Sequence, residues 1–191
     1  MNEHIVEKVM LGGSKRIGRL PDQVVELLES FMKEGVHFVC GDAQGTDYAF
    51  QVFLQSRGYK NVSIYCSGEK CRFNLCKDDW KEVHIDVPSG VEGYDFYRIK
   101  DLKMIRTCDL GLMVWDRASI GTRNNIYDLK ALGKPVFAFN VDKNQLKISR
   151  RKKQRNEHLR LHQLPRHSRI LGADRLQAVS FGNGLADLAG Q

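Results

Sequence analysis

Three short stretches of this 191-residue chain combine the residue types that hold an anion: Gly12–Gly18, Gly41–Asp47 and Asp116–Thr122. Each is rich in Gly, Ser, Thr or Asp. Each follows an apolar run and precedes a helical period, so each reads as a turn from a strand end into a helix. Such a turn offers backbone N–H groups and the positive end of a helix dipole. In the first stretch Gly12, Gly13, Ser14 and Lys15 are the candidate ligand-binding residues. Gly13-Ser-Lys-Arg-Ile-Gly18 has P-loop glycine spacing, but Arg19 and Leu20 stand where that motif needs Lys and Ser or Thr. It does not match G-x-G-x-x-G either, so both motifs are rejected. In the second stretch the candidates are Gly41, Asp42, Gly45, Thr46 and Asp47. Glycine permits close backbone approach. Asp47 suits a sugar hydroxyl, or else simply complements a helix dipole. In the third, Ser119, Gly121 and Thr122 could face a phosphate, and Thr122 also reads as a helix N-cap. Asp47 and Asp116 are the candidate acids for any catalysis.

The elements that position these turns follow from periodicity. Lys8–Leu11 reads as a strand. Pro21 opens a helix at its first position, with Val24, Leu27, Leu28, Phe31 and Met32 on one face and Gly35 at its end. Val36–Cys40 is a continuous apolar run, as in a strand buried on both faces. A helix from Thr46-Asp47 buries Ala49, Phe50, Phe53 and Leu54 and stops at Gly58. Val62–Tyr65 is a strand, residues 66–82 are irregular, and Val83–Val87 reads as a further strand. Asp95–Cys108 is a helix, Leu110–Trp115 a strand, Thr122–Leu132 a helix and Val136–Phe139 the last strand. Strands alternating with helices predict a Rossmann-like α/β fold. Its mostly parallel sheet is flanked by helices on both faces. From Gln145 onward the pattern is lost. The expected organisation is a nucleotide-binding domain over 1–146 and a basic C-terminal extension over 147–191.

The net charge of +7 sits in that extension. Residues 147–175 hold ten Lys/Arg and two acids, whereas the first 146 residues balance 20 bases against 20 acids. Arg150, Arg151, Lys152, Lys153 and Arg155 form a strip able to contact nucleic-acid phosphates, without interleaved aromatics for base stacking. The five cysteines are an odd number, and two, Cys40 and Cys108, sit in apolar-periodic segments. They read as free thiols in a reducing cytosol. Cys66-x4-Cys71-x4-Cys76 is not a common zinc spacing, so no metal is expected, and no cofactor. His158, His162 and His167 read as solvated. No secretory signal and no membrane segment is expected, which points to a cytoplasmic protein.

Gly12-Gly13-Ser14, Gly41-Asp-Ala-Gln-Gly-Thr-Asp47, Lys100-Asp-Leu-Lys-Met104, Cys108-Asp109 and Trp115-Asp-Arg-Ala-Ser-Ile-Gly-Thr122-Arg-Asn-Asn125 occur in this order. The set resembles the SLOG superfamily, which includes the DNA-processing protein A family, the LOG phosphoribohydrolases and stand-alone bacterial or phage proteins. The resemblance spans roughly residues 8–140. It implies a Rossmann-like fold that binds nucleotides or nucleotide derivatives in the cleft between these loops. It adds Lys100 and Asn124 to the candidate ligand-binding residues, and Lys100 to the catalytic ones. It does not carry the hydrolase activity over. The LOG arginine of R-K-x-x-M falls on Lys100, and the glutamate after P-G-G-x-G-T falls on Asn124 or Asn125. Asparagine cannot ionise, and lysine lacks the bidentate guanidinium fork.

The expected function is therefore a ligand-binding or sensor module for a nucleotide or nucleotide-derived small molecule, in a homo-oligomer. One alternative is a hydrolase or transferase acting on a nucleotide N-glycosidic bond. A second is a nucleic-acid-binding protein working through the basic tail.

Overall fold

The computed structural model describes residues 6–149. The basic strip Arg150–Arg155 and the tail histidines lie outside the described residues.

Strands are β1 (Lys8–Gly13), β2 (His37–Gly41), β3 (Val62–Ser67), β4 (Lys81–Ile85), β5 (Leu110–Trp115), β6 (Val136–Asn140) and β7 (Gln145–Ser149). Helices are α1 (Asp22–Lys33), α2 (Thr46–Ser56), α3 (Gly93–Thr107) and α4 (Ile120–Ala131). The strands form one sheet in the order β4-β3-β2-β1-β5-β6-β7. All neighbours pair in parallel except β6 and β7, which are antiparallel. This is the Rossmann-like α/β architecture that the alternating pattern predicts.

The pleat divides the apolar residues between two cores. On one face, Val9 and Leu11 of β1 with Leu110, Leu112 and Val114 of β5 pack under α1 and α2, through Leu27, Leu28, Phe31, Phe50 and Leu54. On the other, Met10 and Met113 pack under α3 and α4, through Met104, Ile105, Ile126 and Leu129. Helix α4 lies close because β5 carries Gly111, where a Cβ would stand 2.4 Å from Leu129 Cδ1.

Several local readings shift. Pro21 is the N-cap of α1 rather than its first helical residue. Helix α4 starts two residues early and is capped by Ser119, not Thr122; the Ser119 hydroxyl accepts from the Thr122 N–H. The fourth strand runs Lys81–Ile85 instead of Val83–Val87, because it pairs Ser63 with Lys81 and Ser67 with Ile85. The sheet also has a seventh strand. Gln145–Ser149 folds back on β6, with Val136 opposite Ser149 and Asn140 opposite Gln145, so the sheet ends three residues beyond position 146. Leu146 and Ile148 pack on the α1/α2 side of the core.

The free-thiol reading fails for two cysteines. Cys66 and Cys71 form a disulfide, with Cα atoms 5.0 Å apart. The intervening turn passes through Gly68 at φ 75°, which doubles the chain back within five residues. Cys40, Cys76 and Cys108 are free. Among the described residues no helix is long and apolar enough to cross a membrane.

Candidate ligand-binding site

Strand order reverses beside β1. The chain runs from β1 outward to β4, then returns to place β5 on the other side of β1. In open α/β sheets, the crevice at the carboxyl ends of such strands is where ligands bind. The turns after β1, β2 and β5 meet there.

Ser14 is the knot that ties them, and it is fully buried. Its N–H donates to the Val114 carbonyl at 3.0 Å, and its own carbonyl accepts from Thr46 N and Thr46 Oγ1. Its hydroxyl donates to Asp116 Oδ1 at 2.8 Å and accepts from the Asp116 N–H. Asp116 Oδ1 also accepts the N–H groups of Ala118 and Ser119, at 3.0 and 2.8 Å. Burial pushes the Asp116 carboxyl up, but these donors outweigh that and leave it below the usual aspartate range. A protein carboxylate thus already takes donors at the mouth of α4 that sequence reasoning offered to a phosphate. The α2 mouth is partly filled in the same way, by the Ser14 carbonyl.

Three glycines let these turns approach. At Gly13 a Cβ would lie 2.3 Å from the Val114 carbonyl oxygen and 2.7 Å from Thr46 Cγ2. At Gly45, with φ at 79°, it would meet the Lys15 carbonyl oxygen at 2.2 Å. At Gly41 it would meet Asp47 Oδ2 at 2.2 Å and Lys100 Nζ at 2.9 Å. Gly121 has no such constraint, since a Cβ there would find Tyr94 Cε2 at 3.8 Å.

Around Gly41 the structure buries a cluster of charges. Lys100, 3% exposed, donates to Asp101 Oδ1 at 2.8 Å and stands 3.8 Å from Asp42 Oδ1. Burial alone would lower the Lys100 pKa, but Asp101, Asp47 and Asp42 reverse this and hold the ammonium charged. Asp42 receives three bonds from Arg72: one from its N–H at 3.0 Å, one from Nε at 3.2 Å and one from Nη2 at 2.7 Å. Burial pushes the Asp42 carboxyl up. Arg72 and Lys100 outweigh that and keep it below the usual range. Asp47 is differently placed. Burial is its largest influence, Lys100 only partly offsets it, and Asp101 adds to it, so its pKa is pushed up to about 6. Its carboxylate accepts from the Ala43 N–H at 3.3 Å. Two neighbouring aspartates thus titrate apart, one held ionised and one able to carry a proton near neutrality.

The rim is aromatic and basic. Arg72 lies over the Tyr97 ring at 4.1 Å and Lys15 Nζ over the same ring at 5.5 Å. A separate hollow of about 520 Å³, lined by residues 77–82, lies at the amino end of β4. It is on the opposite edge of the sheet and gathers no buried charge cluster.

Of the residues singled out from sequence, Gly12, Gly13, Ser14, Gly41, Asp42, Gly45, Thr46, Asp47 and Lys100 come together at this edge. Ser119 joins through Asp116, and Thr122 through the Ser119 hydroxyl. Asn124 donates to the Tyr94 hydroxyl at the surface. Its buried neighbour Asn125 instead donates to Asp101 Oδ2 at 3.1 Å and accepts from Arg98. Arg72, Asp101, Arg98, Tyr97 and Gln51 were missed. Gln51 is fully buried and joins the Gly41 carbonyl to the backbone of Phe73 and Leu75. Its place on the inward face of α2 was the one available signal. Comparison with protein-family models, with curated proteins and with solved structures finds no match.

Proposed function

We propose that the crevice at the carboxyl ends of β1, β2 and β5 binds a nucleotide or nucleotide-derived ligand, and that the protein is a binding or sensor module. One observation carries the reading. Asp42, Asp47 and Lys100 are buried together where the strand order reverses, beneath a glycine that leaves no room for a side chain. Burying charge is costly, and a sheet of this kind does not need it to fold. Asp47 supplies an acceptor for a sugar hydroxyl. Lys15, at the rim beside Tyr97, supplies positive charge for phosphate.

A second reading has one observation in its favour. An Asp47 pKa of about 6 suits a general acid or base acting on an N-glycosidic bond. The SLOG resemblance supports the ligand class in both readings, while Asn124 and Asn125 favour binding over cleavage.

The test is to denature the purified protein and identify released small molecules by mass spectrometry, then to titrate a panel of nucleoside mono- and diphosphates by calorimetry. At least one member should bind, and Lys15→Ala should weaken it. No released nucleotide and no heat with any member would overturn the proposal. Turnover of a nucleoside monophosphate to base and sugar phosphate, abolished by Asp47→Asn, would move the second reading ahead.

A further inference from the structure

Away from the crevice, three metal-ligating side chains converge on the β3–β4 edge. Cys66 and His84 are register partners on adjacent parallel strands, so they stand side by side on one face of the sheet. The Gly68 turn brings Cys71 back over them. One ligand atom from each of Cys66, Cys71 and His84 lies within 4.8 Å of the other two. His84 is also held at both ring nitrogens. Its Nε2 side faces Glu82 Oε2 at 3.1 Å, and Glu82 is itself held by Asn74 through Oε1 at 3.1 Å. Its Nδ1 faces the Gly68 carbonyl at 3.0 Å, inside the turn that joins the two cysteines. A carboxylate behind one ring nitrogen is the outer-shell partner that fixes a histidine for a metal, and the other nitrogen is held by a carbonyl of the same turn that carries the two cysteines.

We propose that, once the disulfide is reduced, Cys66, Cys71 and His84 Nδ1 bind one divalent thiophilic cation of the zinc class. Two thiolates and an imidazole with a fourth position open to water suit tetrahedral zinc and disfavour magnesium or calcium. A dithiol reductant passes two electrons and two protons to the Cys66–Cys71 bond and becomes a disulfide itself. Metal binding then releases the two thiol protons to solvent, Nδ1 leaves the Gly68 carbonyl and turns its lone pair to the cation, and Nε2–H donates to Glu82. Oxidation of the two thiolates by a disulfide oxidant expels the cation and restores the S–S bond. The segment therefore has two alternative clasps, one covalent and one metallic, closing the same turn.

The test uses the full chain, reduced with a phosphine and exchanged under argon into reductant-free buffer, with five free thiols confirmed by thiol titration. Cobalt(II) is the probe. The expected result is one equivalent bound, with thiolate-to-cobalt charge transfer and the intense visible bands of a tetrahedral ion, both erased by added zinc. Cys71→Ser and His84→Ala should each abolish the signal, and Glu82→Gln should weaken binding about 10–100-fold. Cys66 is fully buried and its replacement tests folding as much as binding. Cys71, on the half-buried turn, decides the question, with circular dichroism confirming that the variant is folded. The proposal is overturned if the disulfide resists reduction in the folded protein, if the reduced protein gives no charge-transfer band, or if His84→Ala binds cobalt as tightly as wild type.

Discussion

Replacing Asp47 by asparagine should stabilise the protein at neutral pH, and the size of the effect follows from its burial. The carboxyl is raised from 3.8 to about 6 in the folded chain. A shift of about two units, at about 1.4 kcal/mol per unit, means the folded state holds the ionised form at a cost of up to about 3 kcal/mol. Below pH 3.8 Asp47 is protonated in both states and imposes no penalty. Between 3.8 and about 6 the unfolded chain ionises while the folded one keeps its proton, so stability falls as pH rises. Above about 6 the loss is complete. Asparagine is neutral throughout and keeps an oxygen for the Ala43 N–H. Lys100 retains Asp101 and Asp42. Urea denaturation of wild type and Asp47→Asn at pH 4, 5, 6 and 8 measures the difference directly. Equal midpoints near pH 4 should separate with rising pH, the variant the more stable by roughly 1–3 kcal/mol at pH 8. A variant that is less stable than wild type, by a margin that grows with pH, would show that Lys100 holds Asp47 ionised, and the reasoning would fail. The same penalty is what a site keeps when its charge serves a ligand.

Three further outcomes are expected. Gly13→Ala should cost about 3 kcal/mol, measured by thermal melting, because the new methyl meets the Val114 carbonyl and Thr46 rather than a yielding side-chain end. Arg72→Ala should lower stability by about 2 kcal/mol at neutral pH, since it leaves the buried Asp42 with Lys100 at 3.8 Å. Because the Asp42 pKa lies below its ordinary 3.8, that gap should be full above 3.8 and close as pH falls through the lowered value, which urea midpoints across acid pH will read. A chain ended after residue 146 should melt about 5 °C or more below one ended after Ser149, because it loses the pairing of Val136–Ala138 and the packing of Ile148.

Much of this fold was legible because its helices carry their apolar residues on one face and its central strands are apolar throughout. The α1 series Val24, Leu27, Leu28 and Phe31 and the run Leu110–Trp115 leave little choice. Strand β7 was hidden by its surroundings. Leu146 and Ile148 alternate with polar residues as a strand requires, but a dense run of Lys and Arg follows at once and masks so short a signal. The α4 start was ambiguous because Ser119 and Thr122 are both capping residues, and only the hydrogen bond between them assigns the roles. In the site, glycine, serine and aspartate betrayed themselves by lying in strand-to-helix turns. Arg72 gave no local sign. Its role comes from the loop between β3 and the edge strand β4, which reaches Asp42 thirty positions away, and such a contact has no periodicity. Asp101 was equally silent, because a charged residue on a helix is ordinarily a solvated one.

The position of β1 has a consequence for how the chain folds. Its two partners are β2, which follows within about thirty residues, and β5, which lies a hundred residues downstream. At about 5–20 residues per second, a nascent chain carries β1 for on the order of 5–20 s before β5 is made. During that time β2, β3 and β4 can assemble on one side of it, with α1 and α2 covering one face. The other edge of β1, Val9–Gly13, then stays open, and so does the face that awaits α3 and α4. An apolar, unpaired edge in the middle of the future sheet is a template for the wrong strand. The interval before Leu110–Trp115 arrives is therefore when this protein is most exposed to misassembly, and it ends with the same step that brings Val114 and Asp116 to Ser14 and closes the crevice.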